Sequence, residues 1–210
     1  MRREYFKKFI IVFFLAVLFL TVINSNFDLW TIRRNIEPVK YQAEIDKYAS
    51  EFSLEPELLA ALIYVESRFD KYSLSSKGAV GLMQLMPSTA FWIAEELGYH
   101  DFKLEDLKDP ELNIKFGSWY FSYLQQKFDN NLIKSIAAYN AGESNVRNWI
   151  RAGWDGNIEE KLPYQETDNF VRRVISTKDY YEKNNLELFG LSSFNFSFYN
   201  LSLFRLQKVL

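Results

Sequence analysis

The chain has no cysteine. That excludes disulfides, thiolate metal sites, a cysteine nucleophile and a lipidated N-terminal cysteine. It leaves the compartment open, because a cysteine-free protein is stable on either side of a membrane. There is a single histidine, His100, so no imidazole cluster can form. Its place after Gly98 marks a loop residue, and neither a metal site nor a cofactor is expected. An excess of positive charge is also missing: 25 Lys and Arg stand against 27 Asp and Glu, a net charge of −2. No basic field advertises nucleic acid as a partner. No internal repeat is present, and strand-like alternation is confined to Phe194, Phe196 and Phe198 in the tail.

What is present points to one domain with appendages, since 210 residues suit a sizeable single core. Arg2, Arg3, Lys7 and Lys8 precede an uncharged apolar run, Phe9 to Ile23. Such a run can be a signal-peptide core or an uncleaved anchor. No small-x-small cleavage site follows Ile23, so residues 1–26 are expected to anchor the chain in the cytoplasmic membrane, positive flank inside. Secretion after cleavage is the alternative. Residues 27–40 end at Pro38 and form a linker. Residues 41–184 form the functional domain, and residues 185–210 form a tail of undetermined structure.

Within 41–184 the apolar spacing is helical. Tyr41, Ile45, Tyr48 and Phe52 predict an amphipathic helix. Pro56 suits the first position of a second helix, whose nearly unbroken apolar run Leu58–Val65 makes it central. Ser88 is expected to cap a helix over Thr89–Leu97. Asp109-Pro110 opens another, and further helices carry Leu132–Tyr139, Val146–Ile150 and Glu166–Tyr181. The fold class is all-α, with room for a short hairpin in the polar loop Ser73–Lys77.

Glu66 closes the apolar helix, and the chain then turns through Gly78 and Gly81 into Leu82-Met83-Gln84-Leu85-Met86-Pro87. A carboxyl raised by apolar burial can deliver a proton at neutral pH. Glu66 therefore stands as the candidate catalytic acid. The bland alternative is a solvated Glu in a helix's last turn, where the dipole disfavours an anion. Asp70, four residues on, is a candidate second carboxylate only if the helix continues to it. For Gln84, Met86 and Tyr139 the bland alternative is core packing and turn formation.

Three ordered blocks carry a resemblance. They are Glu66-Ser67 with Gly78–Pro87, then Ala138-Tyr139-Asn140-Ala141-Gly142, then Pro163-Tyr164-Gln165-Glu166-Thr167 leading into Phe170-Val171. Over roughly residues 41–184 the chain resembles the lytic transglycosylases of the soluble type, with a goose-lysozyme-like core. The resemblance implies a lysozyme-like helical domain that acts on peptidoglycan glycan strands outside the cytoplasmic membrane. It also implies one catalytic carboxyl, Glu66, that first protonates the oxygen between N-acetylmuramic acid and N-acetylglucosamine. That carboxyl then takes the proton from the muramyl 6-hydroxyl, closing a 1,6-anhydro ring without consuming water.

Further roles follow from the matching positions. Ser75 would hydrogen-bond near the acetamido group or the acid, Gln84 would line the cleft, and Met86 would pack against a sugar or peptide. The Tyr139 hydroxyl would lie close to Glu66, Asn140 would hold its loop, and Glu166 would close a hydrogen-bond network beneath the cleft. Phe170 departs from the family's usual tyrosine, which removes one hydroxyl. A hydrolytic muramidase on the same fold and a non-catalytic glycan-binding module are the competing functions.

Overall fold

The computed structural model describes residues 39–184. The chain divides into two units, Met1–Glu37 and Pro38–Leu210, and all described residues belong to the second. The expected anchor (1–26), most of the linker (27–40) and the tail (185–210) lie outside the described residues. Among the described residues no helix is long and apolar enough to cross a membrane.

Seven α-helices and one 3-10 turn make up the described residues: α1 Gln42–Glu51, α2 Pro56–Ser67, α3 Pro87–Glu96, a 3-10 turn Leu104–Lys108, α4 Pro110–Lys127, α5 Leu132–Ala141, α6 Glu143–Arg151 and α7 Gln165–Lys183. The expected hairpin is reduced to single antiparallel bridges, Leu74 to Val80 and Val80 to Leu85. The polar stretch is too short and glycine-broken to extend a ladder.

α2 is the hub. Its eight successive residues Leu58–Val65 are all buried, which only a helix surrounded on most sides permits. Its main neighbour is α7, and α1 packs beside it. α5 joins α4, α6 and α7, while α3 and the 3-10 turn lean on α4. Burying Leu58, Leu59, Leu62 and Ile63 completely contributes about 1.5–3 kcal/mol each before entropy is counted.

Helix starts follow local chemistry. Asp109 Oδ1 accepts the Leu112 N–H at 2.9 Å, and Asn131 Oδ1 accepts the Lys134 N–H at 3.0 Å. Both satisfy donors that a helix N-terminus leaves open. The expected Ser88 cap is a correction: α3 begins two residues earlier, with Pro87 in its first turn and extended Met86 before it. Proline's fixed φ starts that helix without a side-chain cap.

Candidate active site

α2 ends sharply just after Glu66. Arg68 and Phe69 both adopt left-handed conformations, with φ of 52° and 61°. Two successive non-glycine residues there cost roughly 1–2 kcal/mol each. Phe69 is nevertheless buried, with its ring 6.2 Å from Tyr64. That burial offsets the strain and stops the helix, so Asp70 is not on the Glu66 helix. Asp70 is exposed and accepts the Tyr72 N–H at 2.9 Å.

Glu66 is half-buried, so its carboxyl is partly desolvated. Burial pushes its pKa from the ordinary 4.5 up to about 8; the Arg173 guanidinium works against this, and the Glu166 charge adds to it. A carboxylate at the C-terminal end of a helix also faces the negative end of the dipole. No hydrogen bond reaches the Glu66 carboxyl from the described residues.

The glycine turn that follows is fixed from below by Asn113 on α4. Asn113 is fully buried and uses both ends of its amide. Its oxygen accepts the Met83 N–H at 2.8 Å, and its Nδ2 donates to the carbonyls of Val80 at 3.1 Å and Leu107 at 2.9 Å. Gly81, at φ +81°, lies so close that a Cβ would stand 2.1 Å from Asn113 Nδ2 and 2.6 Å from the Leu107 oxygen. The close approach is thus to protein backbone and Asn113. Met83 fills the space above Gly117, where a Cβ would meet its Sδ at 2.3 Å.

On this base the expected site residues fall as follows. Gln84 is left-handed (φ 47°) and donates through Nε2 to the carbonyls of Ser73 at 3.1 Å and Gly81 at 2.8 Å. Its amide nitrogen ties the loop to the turn. Ser75 Oγ accepts the Ala79 N–H at 2.9 Å, closing the same loop. Met86 is 40% exposed, an apolar side chain presented to solvent at the start of α3.

The Tyr139 ring stands 5.6 Å from that of Tyr120 and 6.0 Å from that of Phe121. Its hydroxyl donates to the Met83 carbonyl at 2.7 Å. Burial holds the Tyr139 phenol protonated well above its usual range, and the Glu66 charge adds to that. Asn140 Oδ1 accepts the Thr167 hydroxyl at 2.8 Å, pinning α5 to α7. The Glu166 carboxylate differs from the buried network expected of it. It is exposed and faces Lys77 Nζ at 3.3 Å. Phe170 is buried.

Two contributors escaped sequence reading. Asn113 hides in the helix that Asp109-Pro110 opens; its signal was a lone amide on the buried face. Arg173 lies seven residues after Glu166 and so shares its face of α7. Its Nη2 donates to the Val65 carbonyl at 3.4 Å, one residue before Glu66. Among the described residues no cluster of His, Cys, Asp or Glu could hold a metal ion.

The model of the transglycosylase SLT domain family matches residues 43–161. The soluble lytic murein transglycosylase of Escherichia coli K12 is 34% identical over 159 residues, covering 73% of this chain and 24% of that protein. The membrane-bound lytic murein transglycosylase E of Buchnera aphidicola is 33% identical over 93 residues, covering 43% of this chain and 42% of its own. The solved lytic transglycosylase Slt of Pseudomonas aeruginosa, an inactive glutamate-to-glutamine mutant, superposes with a TM-score of 0.65 at 33% identity. That superposition covers 70% of this chain and 25% of the other. The chain therefore spans about a quarter of the Escherichia coli and Pseudomonas relatives. The matched segment contains Glu66, the Gly78–Pro87 turn and Tyr139–Gly142, and the fold around them is mainly helical and lysozyme-like. The chain belongs to the transglycosylase SLT domain family.

Proposed function

We propose that this chain is a peptidoglycan lytic transglycosylase that cleaves the β-1,4 bond between N-acetylmuramic acid and N-acetylglucosamine. One observation carries the reading. The Glu66 carboxyl is desolvated at a helix end, unbonded, and raised to about 8. At neutral pH it holds a proton that an ordinary glutamate has lost. Glu66 gives that proton to the glycosidic oxygen, so the N-acetylglucosamine leaves with a hydroxyl. The muramyl 6-oxygen then closes on its own C1, and the Glu66 carboxylate takes the 6-hydroxyl proton. One bond to C1 breaks, one forms, and the acid is regenerated.

The murein named for the relatives supports the substrate, and the inactive Pseudomonas mutant supports a glutamate requirement. Ser75, Gln84, Met86 and Asn140 shape the cleft around the glycan, with Tyr139 backing Glu66 and Glu166 at its edge. A two-carboxylate hydrolase needs a second group opposite Glu66, whereas Asp70 is exposed and engaged by the Tyr72 N–H. The apolar run Phe9–Ile23 anchors the chain, with residues 41–184 outside the cytoplasmic membrane. Relatives named as membrane-bound support this, and fractionation of full-length protein tests it: a shortened, freely soluble form would reject it.

The deciding experiment is digestion of purified peptidoglycan with mass analysis of the products. Wild type should give 1,6-anhydro ends, one water lighter than reducing ends. Glu66→Gln should lose at least 10²–10⁴ in rate, while Asp70→Asn keeps most activity and the anhydro product. Equal loss in both variants, with the fold intact, would install the hydrolase instead.

A further inference from the structure

α7 lies along α2 and brings two opposite charges to Glu66 from one face, Glu166 and Arg173. Glu166 is engaged by Lys77. Arg173 makes no ion pair among the described residues; its guanidinium donates to the Val65 carbonyl at 3.4 Å. That carbonyl belongs to the last turn of α2, directly before Glu66. A cation there complements the helix end. It also sits beside a carboxyl that no hydrogen bond ties down.

This arrangement answers a conflict in the one-carboxyl mechanism. The acid step needs a protonated Glu66, which burial supplies. The intermediate state needs its anion to survive where water is scarce, which burial opposes. A salt bridge would solve the second need and ruin the first, by keeping the carboxyl ionised. A cation that is near but anchored elsewhere eases the anion without capturing it.

We propose that Arg173 is a positioning residue: anchored on the Val65 carbonyl, it holds the last turn of α2 and provides the counter-charge against which Glu66 ionises as it gives up its proton. Arg173 transfers no atom. The inference rests on Glu66 being the acid. The groups acting on Glu66 are Arg173 and Glu166 from α7, with Lys77 of the polar loop neutralising Glu166. From α5, Tyr139 contributes a phenol that stays neutral in the working range.

The test uses the full-length chain and purified peptidoglycan, with anhydro-product release measured from pH 5 to pH 10. Loss of the Glu66 proton sets the alkaline limb. Arg173→Gln removes the opposing cation, so that limb should move up by roughly half to one pH unit, less than a buried pair would give because Arg173 is exposed. Arg173→Lys should restore the wild-type limb. A Gln variant with a native melting curve and an unmoved limb overturns the proposal.

A second readout needs no variant and no activity. The Glu66 carboxyl is followed by carbon NMR in wild type at low and high salt. Screening the stronger of its two charged neighbours, Arg173, should raise the titration midpoint, and a fixed or falling midpoint overturns the proposal. Should Glu66→Gln remain active, the acid assignment fails by itself, whatever the carboxyl titration shows of Arg173.

Discussion

Asn113 and Glu66 are polar side chains set on apolar helices, and their polar atoms are handled in opposite ways. Asn113 is fully buried, with its oxygen and both uses of its nitrogen engaged. Glu66 accepts no hydrogen bond from the described residues and carries a pKa raised to about 8. A buried polar group that is fully satisfied rigidifies what surrounds it. One that is partly desolvated and has no protein partner keeps a perturbed pKa that chemistry can use. The first region is scaffold and the second is reactive, and Met83 links Asn113 to Tyr139, whose phenol feels the Glu66 charge. Weakening the scaffold should therefore cost stability first, while altering Glu66 should cost activity and return stability.

The largest stability effect is expected at Gly81. An added Cβ would meet Asn113 Nδ2 at 2.1 Å and the Leu107 carbonyl at 2.6 Å, at φ +81°. Neither atom is the free end of a flexible side chain. Strain at positive φ and overpacking each cost about 1–3 kcal/mol, so Gly81→Ala should destabilise by roughly 3–5 kcal/mol in thermal or denaturant melts. A loss below about 1 kcal/mol would mean that Asn113 is not the fixed point described here.

Glu66→Gln should move stability the other way, and only in one pH window. The folded-state pKa is raised, from 4.5 to about 8. Between those values the native chain holds a proton that the unfolded chain releases. Stability present below about 4.5 is therefore lost as pH rises toward about 8, by at most roughly 1.4 kcal/mol per pH unit. Gln does not titrate. The melting temperature of Glu66→Gln minus that of wild type should climb from pH 5 to pH 8 and then level off. A flat difference across that window would place the Glu66 carboxyl in water.

Much of this was legible in the sequence, and the exceptions share a cause. The unbroken apolar run Leu58–Val65 announced a buried helix, and Glu66 at its end announced an acid in an apolar setting. Periodicity located the helices because their cores are apolar stripes. It could not locate Asn113, since one amide does not change a stripe and its three partners come from Val80, Met83 and Leu107. The left-handed exit at Arg68 and Phe69 was hidden for the same reason: burial of Phe69 against Tyr64 holds it, not a glycine. Glu166 was placed beneath the cleft by its block, whereas its start-of-helix position on α7 leaves it exposed beside Lys77.

Tyr139 stands between the two regions and gives a smaller effect. Its hydroxyl donates to the Met83 carbonyl at 2.7 Å, and the Met83 N–H is held by Asn113. Tyr139→Phe removes that bond and leaves a carbonyl short of a donor, a loss of about 1–2 kcal/mol. Turnover should fall as well, because no hydroxyl then ties α5 to the Met83 turn. Full activity with that stability loss would confine Tyr139 to the scaffold. Unchanged stability with lost turnover would free its hydroxyl for the substrate.

The smallest effect concerns the pair at the rim. Lys77 and Glu166 meet at 3.3 Å with side chains 72% and 71% exposed. An ion pair so open to water contributes little to folding, within about 0.5 kcal/mol. Lys77→Met should leave the melting curve almost unmoved. Its consequence should appear at Glu66 instead, because the Glu166 charge helps raise the Glu66 pKa and Lys77 is what offsets that charge. Without the lysine the Glu66 proton is held more firmly, and the alkaline limb of activity should shift upward. The shift should be smaller than that of Arg173→Gln, since Arg173 acts on Glu66 more strongly than Glu166 does. It should also shrink as salt is added, because both members of the pair are exposed. A downward shift, or one that salt leaves untouched, would mean that Glu166 does not act on Glu66 through its charge and that the rim is separate from the reactive region.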